Sequence, residues 1–422
     1  MNKTPEIIIV GGGFGGITAA RKLKNTGWNL TLIDKKNHHL FQPLLYQVAT
    51  AALSPGDIAV PIRGIFSKDD NIRTVMDKVL SIDAENNTLE LENGENLSFD
   101  YLVLAPGAVY NYFGNDDWKK SAPGLKTLGN ALSIRERILL SLEKADRIDH
   151  PEKRKPYLTY AVIGGGPTGV EMAGAIAEIS KRNMMRDFRN LSTDETEVYL
   201  VEAAGRILNG YPESLSEKAK QDLEGMGVRV LLNTPVKEIR KNGVVVSDSF
   251  IETPNIVWAA GVKTAPLLQT LSADADKMGR IKVRPDLTVP GNDHIFVIGD
   301  AAYVEDDDGN PLPALAPVAI QQGKYVAEQI KERVKGRDIK PFSYVDKGSM
   351  ATIGRAKAVA DIRGFKFSGF FAWLLWSFIH IFFLIGFRNR FRVFAEWIWH
   401  YITFKRGVRL ITNSGKERTE ED

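Results

Sequence analysis

The sequence predicts an α/β fold with two Rossmann-like dinucleotide-binding domains and a C-terminal membrane-associating helical region. Three observations predict it. A glycine-rich turn between an apolar strand and a helix occurs twice, an acidic residue ends the strand that follows each copy, and the C-terminal stretch is rich in Phe and Trp with basic residues behind them. In the first copy, Glu6 to Val10 reads as a buried strand entering Gly11-Gly12-Gly13-Phe14-Gly15-Gly16. A helix-compatible stretch from Ile17 to Asn25 follows, then a strand from Leu30 to Ile33 ending in Asp34. In the second, Tyr160 to Ile163 enters Gly164-Gly165-Gly166-Pro167-Thr168-Gly169, and a helix through Ile179 precedes a strand from Glu197 to Val201 ending in Glu202. Each copy continues into hairpin signals, Thr88 to Leu97 around Asn93-Gly94 and Val228 to Ser247 around Asn242-Gly243. Each closes with an apolar strand running into small residues, Tyr101 to Ala108 and Ile256 to Val262.

Composition narrows the function. The 422 residues suit two or three domains, and 44% apolar with 25% charged residues is a folded globular composition. With 55 basic and 52 acidic residues the formal charge is +3, so the overall field gives no reason for a nucleic-acid partner. The absence of cysteine excludes disulfides, thiolate metal sites and mechanisms that use a redox-active thiol pair. His38 and His39 are adjacent while His150, His294, His380 and His400 lie far apart, which matches no ligand spacing, so no metal is expected. The first residues enter a strand without signal-peptide features, and export is not expected.

The glycine turns call for specific chemistry. Gly11 can make the tight turn, Gly13 lacks the Cβ that would block a pyrophosphate, and Gly16 lets the helix pack on the strand. Phosphate then meets the helix N-terminus, and Asp34 can accept hydrogen bonds from ribose hydroxyls. Gly164, Gly166, Gly169 and Glu202 repeat the set, with the polar stretch Lys181 to Glu195 inserted before the acidic residue. A carboxylate at Glu202 accepts from the 2′-hydroxyl of NADH and repels the 2′-phosphate of NADPH, so NADH is the expected substrate. Hydride passes between rings held face to face, so one cofactor stays while the other exchanges. Bound FAD and exchanging NADH fit that division.

On these residues the chain resembles the two-dinucleotide-binding-domain flavoproteins of the glutathione-reductase-like fold up to about Lys340, with Ile298-Gly299-Asp300 matching the family's flavin-binding Asp. Members that reduce disulfides or oxidise sulfide need cysteines and are excluded. Gly166-Pro167-Thr168-Gly169-Val170-Glu171, the run Phe41 to Gln47, the segment Ala316 to Gly323 and the aromatic C-terminus are similar to the type II NADH:quinone oxidoreductases. The resemblance implies a FAD-binding domain over 1–112 and 280–340, an NADH-binding domain over 113–279 and a membrane-anchoring region over 341–422. FAD would be held by Gly11, Gly13, Phe14, Gly15, Gly16, Asp34, Lys35, Val79, Ala105, Gly299, Asp300, Ala316, Pro317 and Val318. NADH would be held by Gly164, Gly166, Thr168, Gly169, Glu171, Glu202, Ala260 and Gly261, and quinone would meet Pro317 and Gln321. Pro317 stands where the family usually carries glutamine, and the amides at the start of its helix would face the flavin. Glu171 matches the family's catalytic carboxylate beside flavin and nicotinamide, where burial disfavours its charge. A first-turn partner of the helix dipole is the other reading of this residue. The implied activity is single-subunit, non-proton-pumping transfer of hydride from NADH to FAD and of two electrons to membrane quinone. The alternatives are an NADH-dependent reductase of a small electron-carrier protein and a redox-responsive protein binding NADH and FAD.

Phe370 to Phe387 is an apolar run interrupted only by Ser377 and His380, which meets the lower length limit of a membrane span. Its Phe and Trp content and the mid-length His favour a segment lying in the interface. Phe391, Phe394, Ile398 and Ile402 recur at helical spacing, with Arg388, Arg392, Lys405, Arg406 and Arg409 supplying charge for anionic head groups. A peripheral protein on the cytoplasmic side of the cell membrane is expected. A buried homodimer interface is the other reading of the same aromatics.

Overall fold

The structure, a computed structural model, describes residues 4–183, 187–337, 340–403 and 408–411. The chain forms two compact units, one of Met1–Leu40, Ala59–Val109 and Val262–Asp346, the other of Phe41–Ile58, Tyr110–Gly261 and Lys347–Asp422. These differ from the boundaries read off the sequence. Residues 41–58 and the C-terminal region pack with the second unit, and 262–279 pack with the first.

In the first unit, strands β1 (Glu6–Val10), β2 (Asn29–Asp34), β3 (Ile72–Met76) and β4 (Tyr101–Leu104) pair in parallel in the order β4-β1-β2-β3. The late strand Asn292–Val297 adds to β4. The Ile-rich β1 is buried on both faces, as a central parallel strand must be. Helix α1 (Phe14–Leu23) follows β1 and packs against the helix Ala316–Val334, where the bare Gly323 lets the second helix approach the main chain of Gly15. An antiparallel sheet of Val79–Asp83, Thr88–Leu91 and Asn96–Ser98 sits between β3 and β4 in sequence, with Asn93-Gly94 at its second turn.

The second unit repeats the plan. Strands β5 (Thr159–Ile163), β6 (Glu197–Val201), β7 (Val228–Leu231) and β8 (Asn255–Trp258) run in parallel in the order β8-β5-β6-β7, matching β4-β1-β2-β3. Helix α2 (Pro167–Glu178) follows β5, and a second three-stranded antiparallel sheet, Val236–Arg240, Gly243–Val246 and Ser249–Glu252, lies between β7 and β8 in sequence. The Val228 to Ser247 stretch thus splits into a parallel core strand and a hairpin, because Val228–Leu231 pairs with β6.

The C-terminal region is only partly helical. Strands β9 (Ser349–Gly354), β10 (Lys357–Ile362) and β11 (Phe365–Ser368) form an antiparallel sheet before helices α3 (Phe370–Phe383) and α4 (Phe387–Thr403). The small residues Ala358, Ala360 and Ala372 let α3 settle on that sheet. Gly386, at φ +90, lies where the apolar run breaks into two helices, and among the described residues no helix is long and apolar enough to cross a membrane.

Candidate active site

The first glycine turn forms a cradle. Gly11 adopts φ +105 and a Cβ there would press on the Ala105 carbonyl group, while one on Gly16 would strike the Gly11 carbonyl. Gly13 faces open space, with nothing within 4 Å of where its Cβ would stand. No side chain caps α1, so its first amides can meet an anion. Asp34 accepts from the N–H groups of Gly12 (2.6 Å) and Lys36 (2.7 Å), which ties the end of β2 to the turn. Its oxygens keep lone pairs for a ribose. The buried His39 lies 2.9 Å through Nδ1 from the Gly12 carbonyl oxygen and meets Phe14 edge-on at 5.2 Å. Desolvation lowers its pKa, so the neutral ring donates from Nδ1 and braces the cradle.

Elsewhere in this unit, Gly299 at φ +71 donates its N–H to the buried Gln322 side chain at 2.6 Å, with the half-buried Asp300 next in the same short turn. Pro317 occupies the first turn of the helix Ala316–Val334, which has no side-chain cap, and Val318 is buried below it. Both ends of the Gln321 amide are engaged by Val345, donating to its carbonyl (2.9 Å) and accepting its N–H (3.0 Å). The paired glutamines therefore hold main chain on two sides of the helix. Lys35 is exposed, and the Val79 side chain packs into the core with Leu91, leaving main chain to meet a ligand there.

The second cradle has the same geometry. Gly164 stands at φ +109, a Cβ on it would lie 2.8 Å from Ala260 N, and one on Gly169 would strike the Gly164 carbonyl. Gly166, like Gly13, faces open space. Glu202 accepts from Gly165 N–H (2.5 Å) and Ala204 N–H (2.7 Å), as Asp34 does in its own unit. Thr168 is half-buried in the first turn of α2, and Ala260 and Gly261 rise to the surface after β8. Both cradles fit the diphosphate of a dinucleotide by the same test: tight where glycine must turn or pack, open where a phosphate would lie.

Glu171 is the fifth residue of α2, beyond its first turn, so the dipole-partner reading is corrected. One turn on, a Cβ at Gly174 would run into the Ile353 carbonyl. The bare glycine brings β9 against the helix, with the Thr352 main chain beside Glu171. Desolvation pushes the Glu171 carboxyl up to about 8, against a lowering hydrogen bond from the Thr352 backbone. Part of its surface still opens onto a cavity of about 120 Å³, well above the ~10–15 Å³ that one water needs.

The cavity lies within the second unit, and its walls come from segments far apart in sequence. Tyr46, Gln47 and Thr50 form one side, Trp376 and Ser377 of α3 another, and Trp397, His400 and Tyr401 of α4 a third. Gln47 donates to the Tyr46 hydroxyl (2.8 Å) and accepts the Trp397 indole N–H (2.7 Å), while His400 Nε2 lies 2.9 Å from the Ala52 carbonyl oxygen. Trp376 stacks on Trp397 at 5.5 Å, and among the described residues neither its buried indole N–H nor the buried Ser377 hydroxyl has a hydrogen-bond partner. Sequence reasoning quoted the Phe41 to Gln47 run but missed the cavity. The two short apolar runs Met350 to Ile353 and Ala358 to Ala360, broken at Gly354-Arg355, are the signal for its β9 wall.

On the outer side of the C-terminal helices, Phe371, Phe378, Phe391 and Ile402 are exposed by 64 to 77%. The basic residues are less free than the sequence suggested. Arg392 lies 3.5 Å from the buried Asp57, whose carboxylate needs a cation, and Arg409 pairs with Asp187. Arg388 is exposed, whereas Lys405 and Arg406 lie outside the described residues.

Comparison with known proteins agrees with this geometry. Residues 5–323 match the pyridine nucleotide-disulphide oxidoreductase model and residues 347–406 the NDH2 C-terminal domain. The chain is 40% identical to the type II NADH:quinone oxidoreductase Ndh of Mycobacterium tuberculosis, over 97% of this chain and 90% of that protein. It is 41% identical to NdhA of the same organism, over 97% and 89%. The structure of NDH2 from Plasmodium falciparum in complex with NADH shares the fold, with a TM-score of 0.88 at 21% identity over 96% of this chain and 100% of that one. With two cradles, a matched C-terminal domain and relatives this similar along nearly its whole length, the chain belongs to the type II NADH:quinone oxidoreductase family.

Proposed function

We propose that the protein oxidises NADH with a bound FAD and delivers two electrons to a quinone at a membrane surface, without moving ions across it. The observation that carries this reading is the pair of complete dinucleotide cradles in a chain without cysteine, since electrons taken from NADH have no thiol pair through which to leave. Bound FAD supplies the two-electron carrier that NADH can reduce and a quinone can reoxidise. Glu202 favours NADH by accepting from its 2′-hydroxyl. Glu171, neutral at pH 7, holds a proton at the cavity, and quinone reduction consumes protons. Trp376 and Ser377 carry a buried indole N–H and hydroxyl behind the cavity wall, unpartnered among the described residues, and a quinone carbonyl would reach them only if the wall side chains turned. Contact of quinone with Gln321 requires its clasp on Val345 to open, so we assign that residue first to bracing the chain beyond its helix.

The exposed aromatic faces of α3 and α4 fit a lipid interface better than a small carrier protein. Their 14 and 17 residues reach about 21 and 26 Å, short of the ~30 Å hydrocarbon core, so the reading is peripheral attachment, on the cytoplasmic side where NADH is supplied. The test follows the yellow absorbance of FAD-loaded protein. NADH is expected to bleach it, NADPH to do so poorly, and a soluble quinone analogue to restore it. Bleached protein that quinone fails to reoxidise would overturn the reading.

A further inference from the structure

We propose that Phe113 is the wall against which the nicotinamide ring of NADH is held, an inference that rests on the NADH reading above. Strand order gives the direction of the dinucleotide. Glu202 follows β6, the glycine turn follows β5, and Ala259-Ala260-Gly261 follows β8, while the sheet runs β8-β5-β6-β7. Ligands of such sheets lie across the carboxyl ends of the strands. With the adenosine ribose at Glu202 and the diphosphate over β5, the other half of the molecule continues toward β8. The segment there is in contact with the diphosphate turn, since a Cβ on Gly164 would lie 2.8 Å from Ala260 N.

Phe113 stands at that end. Its ring lies over Gly261, where a Cβ would come within 2.6 Å of Cζ, so the ring occupies space that any other residue at 261 would fill. It is 62% exposed and its backbone is left-handed at φ +52, a conformation that a bulky residue rarely takes and that is worth reading as a functional constraint. The loop is pinned in this state. Phe113 N–H donates to Asn111 Oδ1 (2.9 Å), Asn115 Nδ2 donates to the Phe113 carbonyl (3.3 Å), and Asn111 N–H donates to the Gly261 carbonyl (3.3 Å). Beneath the ring, the buried Trp258 meets it edge-on at 6.3 Å and stacks on Tyr112 at 5.1 Å. The exposed face adds little to the core, whereas a planar heterocycle arriving beyond Gly261 would stack on it.

The test uses FAD-loaded protein carrying Phe113→Asn, because Asn tolerates the left-handed backbone, and Phe113→Tyr as the aromatic control. The dissociation constant of NADH comes from the saturation of flavin reduction in stopped flow. That of ADP-ribose, which lacks the nicotinamide, comes from competition. Phe113→Asn is expected to weaken NADH about three- to tenfold while ADP-ribose stays within about twofold, and Phe113→Tyr is expected to restore NADH binding. Equal weakening of both ligands would mean that the residue only supports the loop, and unchanged NADH binding would mean that the ring does not touch it. Either result overturns the proposal. Failure of NADH to reduce the unaltered protein would instead overturn the functional reading beneath it.

Discussion

On the function proposed above, Glu171 couples fold and chemistry through one buried carboxyl. Its carboxyl is raised from the ordinary 4.5 to about 8, so between these values the folded protein binds a proton that the unfolded chain releases. The stability contributed by the neutral form is complete below about pH 4.5 and is lost as pH rises through about 8. Glu171→Gln removes this titration. Its thermal midpoint is expected to match that of the unaltered protein near pH 4.5 and to exceed it by a few degrees near pH 9. Quinone reduction should fall above pH 8 in the unaltered protein and lose that limb in the variant. A midpoint difference that does not change with pH would refute the buried-carboxyl account. The glycines around such residues were legible in the sequence because Gly11, Gly16, Gly164 and Gly169 occupy positions where a Cβ collides with main chain. His39 was not, because a brace beneath a glycine turn depends on a contact across 27 positions that no local pattern encodes.

At the level of elements, helices and strands with a regular period were read correctly, and those whose meaning comes from a distant partner were not. The βαβ units around both cradles follow from apolar runs and glycine turns. The sheet β9 to β11 was absorbed into a helical anchor because the aromatic run beyond it dominated the composition, although Arg363-Gly364 marks its second turn. Helix α4 presents Phe391, Phe394 and Ile398 outward while Trp397 and His400 line the cavity, so one helix separates an exposed apolar side from a cavity-facing side. Replacing those three outward residues with Ser is expected to reduce co-flotation with anionic liposomes by roughly tenfold or more. Bleaching of the flavin by NADH in solution should be unaffected. Undiminished flotation would show that this face is not the anchor.

Taken as a whole, the molecule is one nucleotide-binding plan written twice, with equal strand order and equal glycine geometry in the two units. Because the chain has no thiol, iodoacetamide at millimolar concentration is expected to leave NADH:quinone turnover unchanged; inhibition would place another nucleophile, such as a histidine, in the site. The bond between Gln47 and Trp397 spans 350 positions. A ribosome adding about 5–20 residues each second needs roughly 20 to 70 s to make that interval, so the nascent chain carries an unfinished wall for most of its synthesis. Both glycine turns, and the Ala105 and Ala260 segments that close on them, are synthesised before the last described helix emerges, so the order of translation puts the nucleotide cradles ahead of the cavity wall.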